Sequence, residues 1–145
     1  MKWVCEGLGV YTSRLKHYIT FDLVEIPELK NVSALSREQI KSREGELILK
    51  ALKPSDEVIH LDEHGREYRS VEFAAELEKK LSRGGRDIVY VIGGAYGFSD
   101  DVYARADGKL SLSKMTYSHQ LVRTIFAEQL YRAFTIMKGE PYHHE

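Results

Sequence analysis

Apolar and polar positions along the chain follow two periods, and their alternation predicts strands and helices in turn. Short apolar runs at 2–8, 21–26, 57–61 and 109–113 are typical of strands, with a periodic segment at 13–20 between the first two. The run 87–92, DIVYVI, is mostly β-branched and aromatic, and it is apolar on both faces. Such runs belong to parallel strands covered on both sides. The pattern therefore predicts five strands.

Helical stretches fill the intervals, and their ends carry recognisable signals. Ser36 and Gln39 form a capping-box pattern that opens a helix running to about Leu52, just before Pro54. Ser70 is placed to cap a helix over 71–82, which Gly84 would end. Asp107 and Gly108 predict a turn. Two further helices are predicted, a short one capped by Ser99 and the longest one from Ser118 to Met137.

The last helix carries a wide apolar stripe at helical spacing. Its members are Leu121, Val122, Ile125, Phe126, Leu130, Ala133, Phe134 and Met137. Core packing is the favoured interpretation, and a subunit interface remains open. Five alternations of strand and helix predict a single α/β domain over residues 1–145, with three layers and a mostly parallel sheet.

Composition narrows the function classes. The net charge of −1 over 145 residues does not fit a protein that binds long nucleic acid, such as DNA, by charge alone. An RNA partner would have to be read mainly by shape and local contacts, or by basic groups gathered on one face. One cysteine, Cys5, allows no internal disulfide and suits a reducing compartment. No run approaches the roughly 20 apolar residues of a membrane span, and the start of the chain lacks a secretory pattern. These features predict a cytoplasmic protein with no membrane partner.

A glycine-rich loop, VIGGAYGFSDD, follows the fourth predicted strand, where α/β folds place ligands. It is not a dinucleotide fingerprint, because Ile92 stands where the first glycine is needed. A tight turn is the competing interpretation of its glycines. Two further loops, HLDEHG and LSKMTYSH, also follow strands, so three strand-end loops could converge on one crevice. His60 and His64 lack a matching ligand pair and are expected at the surface.

Several motifs together resemble one known family. IGGAYG, LSLSKMTYSHQLVR, AEQLYRAFTI, GEPYHHE and LDEHGREYRSVEFAAELE match its pattern, and the resemblance covers the whole chain. The family is the small knotted SPOUT methyltransferase of the bacterial large ribosomal subunit. The resemblance implies methylation by S-adenosylmethionine of N3 of a pseudouridine in 23S rRNA, within the assembled 70S ribosome. It also implies a sheet of five to six strands, a deep C-terminal trefoil knot and a homodimer with composite sites.

The resemblance also implies which residues hold the cofactor. The leucine of the Leu-Asp turn is Leu61 here, and the first glycine of the Gly-Gly pair is Gly93. The knot loop supplies the remaining cofactor-binding residues, Leu112, Ser113, Lys114, Met115, Thr116 and Tyr117. No metal is implied.

The C-terminal segment GEPYHHE holds the proposed catalytic residues. His143 is the first candidate for contacting the base or taking its proton, because imidazole titrates near neutral pH. Tyr142 could hydrogen-bond or stack, and the tail is expected to act across the dimer. A metal site at His143, His144 and Glu145 is disfavoured, because adjacent residues rarely close a coordination sphere.

Candidate RNA contacts are Arg123, Arg132, His119 and His144. A solvated or ion-paired helix face competes for Arg123 and Arg132, and a capping or packing role is favoured for His119. The chain departs from common family members at Ser118, where proline is frequent, and at His144, where arginine occurs.

Two alternatives come from other classes. One is a flavodoxin-like or nicotinamide-dependent oxidoreductase, which a flavin spectrum or stabilisation by NADH would favour. The other is a non-catalytic ribosome-binding module, which would bind ribosomes without transferring a methyl group.

Overall fold

The computed structural model of the chain describes residues 2–94 and 96–144. Its regular elements in chain order are α1 (Lys2–Leu15), α2 (Arg37–Ala51), β1 (Glu57–Glu67), α3 (Ser70–Arg83), β2 (Ile88–Val91), α4 (Asp100–Arg105), β3 (Gly108–Ser111) and α5 (His119–Met137). A single 3₁₀ turn, Val32–Ala34, precedes α2. From α2 onward, strands and helices alternate as the sequence predicts.

The sheet is parallel throughout, with strand order β2-β1-β3. It has three strands within the described residues, so the expected five to six strands are not found. β1 is central and pairs His60 with Val91 on one side and Leu61 with Leu110 on the other. The carboxyl ends of all three strands consequently meet at one edge.

The first predicted strand, residues 2–8, is instead the beginning of α1. Val4, Leu8 and Leu15 are its buried residues and recur at helical spacing, while Trp3 is 63% exposed. The helix packs on α5, where Thr124 Oγ1 donates to the Val4 carbonyl at 3.0 Å. A Cβ on Gly7 would lie 3.2 Å from Thr124 Cγ2. Close packing on α5 therefore selects the helix over the strand.

The second predicted strand, residues 21–26, forms no regular element. Leu23 and Val24 are exposed, and the segment pairs with none of the three strands of the described chain. It is held by side chains instead. Phe21 packs against the core and Glu25 accepts from Arg123 Nη1 at 3.1 Å.

Helices cover both faces of the sheet, which confirms the three layers. On one face α1, α3 and α5 build the larger core, around residues such as Leu15, Ile59, Phe73 and Phe126. On the other face α2 and α4 pack around Val58, Val91, Phe98 and Val102. Each fully buried Phe or Leu contributes about 1.5–3 kcal/mol.

Helix ends follow their caps. Ser36 and Gln39 form the predicted capping box, and Ser99 and Ser118 cap α4 and α5. Ser70 is not the cap of α3. It is the first residue of that helix, and its hydroxyl reaches Gln129 on α5 at 3.2 Å.

The core-packing interpretation of the α5 stripe is confirmed for Phe126, Leu130, Ala133 and Phe134, all of which are buried. Within the described residues, no helix combines the length and the apolar character that crossing a membrane requires.

Candidate active site

Three strand ends converge where the sequence analysis expected a crevice. Leu61 pairs with Leu110 in the ladder, and Leu112 follows two residues later. On the other side of β1, Val91 pairs with His60, and Gly93 lies two residues beyond it. The parallel register thus brings three loops, each holding predicted cofactor residues, to the carboxyl edge of the sheet.

The turn after Leu61 is fixed by its backbone. β1 leaves the ladder after Leu61 and rejoins it at Arg66, which pairs with the same residue, Leu110. Within this excursion Gly65 lies directly against β3. A Cβ there would be 2.7 Å from Leu110 N. The glycine of the LDEHG motif is therefore required by the close approach of two backbones.

Asp62 ties the same turn to α4. Its carboxylate accepts from Tyr103 Oη at 2.7 Å and from the His64 amide at 2.8 Å. Burial raises the pKa of Asp62, but these two hydrogen bonds together with the charges of His64 and Lys109 outweigh it, so the pKa lies below its usual value. Burial and the bond to Asp62 raise the pKa of Tyr103 to about 12. Both groups are consequently fixed in one protonation state at neutral pH.

The glycine loop is shaped by backbone needs at two positions. A Cβ on Gly93 would lie 3.0 Å from the ring of Phe98. Gly97 has φ of 81°, and its amide donates to the Gly94 carbonyl at 3.2 Å. Tyr96 is exposed, with the guanidinium of Arg37 5.3 Å from its ring centre. Ala95 lies outside the described residues.

His60 is buried, which corrects the expectation of a surface histidine; His64 is exposed as expected. The His60 ring lies 4.5 Å from that of Phe98 and 6.0 Å from that of Tyr103. Neither ring nitrogen has a hydrogen-bond partner within the described part of the chain. Burial lowers the pKa of His60, partly countered by Asp62, so the ring is neutral and packs as an apolar residue.

The 112–117 loop is organised from within. Ser111 Oγ donates to the Ser113 carbonyl at 3.0 Å, and Ser113 Oγ accepts from the Met115 amide at 2.9 Å. Lys114, Met115, Thr116 and Tyr117 are exposed, Met115 at 78%. The loop therefore presents backbone groups and side chains outward.

A cleft of about 180 Å³ lies beside this loop. Its lining is Tyr68, Ser70, Phe73, Leu110, Ser111, Leu112, Tyr117, Ile125 and Gln129. Of the eight predicted cofactor residues, Leu112 and Tyr117 line it. Leu61 and Gly93 lie at the same sheet edge without lining the cleft, and the other four belong to the exposed loop.

The C-terminal segment folds back onto its own chain. Gly139, with φ of 68°, ends α5, and the Glu140 amide donates to the Thr135 carbonyl at 2.9 Å. Tyr142 then packs edge-on against Tyr131, with ring centres 4.7 Å apart. The tail is thus a packed element of the described chain rather than a loose end.

An ion pair on α5 holds the tail. Arg132 donates to Glu128 one helical turn earlier, and its Nη1 lies 3.0 Å from His143 Nδ1. Because a guanidinium only donates, Nδ1 of His143 is the acceptor in this contact. The guanidinium also lies 4.8 Å from the ring centre of Tyr142. Burial, followed by a hydrogen bond with Tyr11, raises the pKa of Tyr142, which stays a neutral phenol.

The remaining predicted residues have separate surroundings. Arg123 is ion-paired with Glu25, which fits the structural alternative for that residue. His119 is the exposed first residue of α5, next to the 112–117 loop, and His144 is exposed. Ser118 caps α5 through the Leu121 amide at 3.1 Å.

Sequence reasoning missed Glu128, Tyr131, Asp62 and Tyr103 as members of these networks. The spacing of Glu128 and Arg132, four residues apart on a helix, was the available signal. Among the described residues no three histidine, cysteine, aspartate or glutamate side chains could hold a metal ion together. Glu145, part of the disfavoured metal site, lies outside that range.

Comparison with known proteins gives the family. The family model described as "Predicted SPOUT methyltransferase" matches residues 1–143. The ribosomal RNA large subunit methyltransferase H of Bacteroides fragilis is 59% identical over 139 residues, covering 96% of this chain and 88% of the relative. The protein of the same name from Phocaeicola vulgatus is 58% identical over 144 residues, covering 99% and 92%.

A third relative with that name, from Flavobacterium psychrophilum, is 57% identical over 135 residues and covers 93% of this chain and 86% of its own. The range matched by the family model, residues 1–143, includes the strand-end loops and α5. The chain is therefore a methyltransferase of the SPOUT superfamily and belongs to the family of ribosomal RNA large subunit methyltransferase H.

Proposed function

We propose that the protein transfers a methyl group from S-adenosylmethionine to N3 of a pseudouridine in 23S rRNA, acting on the assembled ribosome in the cytoplasm. The names of its relatives support a large-subunit rRNA substrate. The observation that carries the proposal is the convergence of Leu61, Gly93 and the 112–117 loop at the carboxyl edge of a parallel sheet. Ligands of α/β proteins bind at such edges.

The donor set at this edge fits the cofactor. S-adenosylmethionine combines a flat neutral adenine, a ribose and a charged amino-acid end. Leu61, Leu112 and Tyr117 offer apolar and aromatic surface for the adenine, and the exposed 112–117 backbone offers donors and acceptors for its edge. When bound, the cofactor supplies an electrophilic methyl group on a sulfonium sulfur.

A single chain supplies only part of the volume that the cofactor needs. The cleft of about 180 Å³ is smaller than the roughly 300–1,000 Å³ of typical small-molecule sites. Met115 and Tyr117 stand exposed at its side. We infer that a second copy completes the site in a homodimer, and that the segment following β3 is threaded as the family's trefoil knot.

The tail is proposed to act on the target base. N3 of pseudouridine must lose its proton before it can accept the methyl group, and the base oxygens then gain negative charge. His143 has Nδ1 held by Arg132, and its Nε2 is buried in the single chain. The imidazole therefore meets the base only after the tail shifts on binding, and with Nδ1 still held by Arg132 it would donate from Nε2 to a base oxygen. The role of His143 is therefore to orient the base and stabilise the developing charge.

Tyr142 supports this arrangement from the side. Its ring packs on Tyr131 and under the guanidinium of Arg132, and its hydroxyl lies 3.4 Å from Glu128. The aromatic pair limits the freedom of the tail and so places His143. Positioning of the reacting groups is the larger contribution expected in such a reaction.

Labelled methyl transfer to 70S ribosomes, free 50S subunits and naked 23S rRNA tests the proposal, with His143→Ala beside the wild type. The substitution is expected to lower kcat by about 10²–10³-fold, as for loss of one preorganised donor, with unchanged cofactor affinity. His144→Ala is the comparison variant, because this adjacent imidazole is exposed; as a candidate RNA contact it should affect KM for ribosomes while leaving kcat near that of the wild type. Full transfer by His143→Ala would contradict its role, and ribosome binding without transfer by the wild type would favour a non-catalytic module.

A further inference from the structure

We propose that Arg14 on α1 contacts an RNA phosphate next to the base that the tail orients. The inference rests on the proposed function, because it assigns the surface by which the same site holds its RNA. Arg14 belongs to a strip formed by Arg14, Tyr11, Tyr131, Tyr142 and Arg132, here called the arginine–tyrosine strip.

The strip is continuous across three parts of the chain. The Arg14 guanidinium lies 5.9 Å from the ring centre of Tyr11 and 5.3 Å from that of Tyr131. The Tyr131 ring contacts that of Tyr142 at 4.7 Å, and Arg132 lies 4.8 Å from the Tyr142 ring centre. α1, α5 and the tail thus present two guanidinium groups separated by phenol rings in tilted and edge-on contact.

The two arginines differ in their anionic partners. Arg132 is satisfied by Glu128 and held against His143. Arg14 is exposed, and within residues 2–94 and 96–144 its side chain forms neither an ion pair nor a hydrogen bond. In the described part of the chain its guanidinium lies over the rings of Tyr11 and Tyr131. A guanidinium stacked on a ring keeps its in-plane N–H donors, which match the oxygens of a phosphate.

Local charge favours an anionic partner although the whole chain has a net charge of −1. Lys16 and His17 follow Arg14 closely in the sequence, and His144 follows Tyr142 closely. All three side chains are exposed. The nearby carboxylates are engaged, because Glu128 binds Arg132 and Glu140 accepts from Tyr18 Oη at 2.7 Å. Cationic groups alternating with aromatic rings are the pattern used to bind single-stranded or looped RNA, where bases stack and phosphates pair.

The test measures binding of the full-length protein to 70S ribosomes as a function of KCl concentration. Arg14→Gln is expected to weaken binding about tenfold, the loss typical of one charge-assisted contact. It should also reduce the slope of log K against log salt by about 0.7–0.9, the value for one phosphate contact. Arg14→Lys should keep most of the slope while recovering only part of the affinity, because lysine keeps the charge without the planar stack.

Lys50→Gln is the matched control, since it removes one exposed positive charge on α2, across the sheet from the strip, and should leave the slope unchanged. In methyl transfer, Arg14→Gln should raise KM for ribosomes and leave KM for S-adenosylmethionine as it is. Melting temperatures and sedimentation of all variants accompany the binding data.

An unchanged salt slope in Arg14→Gln overturns the proposal, as does a change in oligomeric state, which would assign the strip to contact between chains. Failure of wild-type methyl transfer would refute the proposed function separately, because the slope comparison requires no turnover.

Discussion

Gly65 and His60 both lie in β1, and each shows how a single position is constrained by its neighbours in the sheet. At Gly65 the constraint is space, because two backbones touch. At His60 it is solvation, because an imidazole is enclosed by Phe98 and Tyr103 without a hydrogen-bond partner among the described residues. Each constraint leads to a measurable effect on stability.

Gly65→Ala should destabilise the protein by about 1–3 kcal/mol, because the added methyl would overlap the β3 backbone and force the strands apart. Gly9→Ala is a control for which the expected change in stability has the opposite sign. Gly9 lies within α1, where an added Cβ would meet nothing within 4 Å, so alanine should stabilise by about 0.5–1 kcal/mol. Urea denaturation midpoints compare the two. Equal stability of Gly65→Ala and wild type would contradict the close approach.

His60 should make the folded state sensitive to mild acid. Its pKa in the folded protein lies below the usual value of 6.5, so the unfolded chain binds more protons as pH falls below about 7. Stability is therefore complete above the unfolded pKa and is lost as pH falls from 7 towards 5, by up to about 1.4 kcal/mol per pH unit. The lowered pKa of Asp62 acts only below its usual value of 3.8, outside this window.

The measurement is the free energy of unfolding between pH 5 and 8. His60→Leu should flatten the pH dependence in this window, while His64→Leu, which changes an exposed imidazole, should not. The same slope in His60→Leu and wild type would show that another group titrates. The burial of His60 had a sequence signal, since Val58, Ile59 and Leu61 around it are apolar on both faces. The usual preference of histidine for the surface concealed that signal.

Elements with strong local signals were predicted well, and those decided by distant contacts were not. The caps Ser36, Ser99 and Ser118 are found where the sequence places them, because a cap is decided within four residues. Residues 2–8 and 21–26 were predicted wrongly as strands. Their fate depends on α5, which contacts α1 across 120 residues of sequence and binds Glu25 through Arg123 across 98. The pattern of residues within a short segment does not show which distant residues the segment will contact.

Ser36→Ala should lower the stability of α2 and of the whole domain by about 0.5–2 kcal/mol, because the Gln39 amide loses its acceptor. Ser42→Ala is the control within the same helix, where alanine favours the helix slightly over serine. Thermal melting at neutral pH compares them. A larger loss in Ser42→Ala than in Ser36→Ala would contradict the capping assignment.

At the scale of the molecule, the candidate site is divided between the sheet edge and the tail. The order of motifs placed Leu61, Gly93 and the 112–117 loop together, because parallel strands always bring their carboxyl ends to one edge. The docking of Tyr142 and His143 on α5 could not be predicted, since it depends on how the chain turns after Gly139. The proposed contribution of a second copy cannot be predicted from the pattern of a single chain.

A mixing experiment tests the composite site. Tyr117→Ala impairs the proposed cofactor side, and His143→Ala impairs the proposed base-orienting side. If each site takes its cofactor loop from one chain and its tail from the other, a mixed dimer contains one intact site. When subunits exchange at random in an equal mixture, about half of the dimers are mixed, and one of the two sites in each mixed dimer is intact. About a quarter of wild-type activity should then be restored. Activity equal to the average of the two separate variants would place both functions in one chain. Each variant alone, taken through the same exchange, is the control.

The packing of α1 against α5 has a further consequence for synthesis of the protein. The main core joins Leu15 near the start of the chain to Phe126, Leu130 and Phe134 near its end. A nascent chain cannot close this core while its last helix is still inside the exit tunnel. Until α5 emerges, α1, α3 and the sheet expose the apolar face that α5 will cover. The enzyme thus completes this core only once α5 has left the ribosome that made the chain, and before it can act on another.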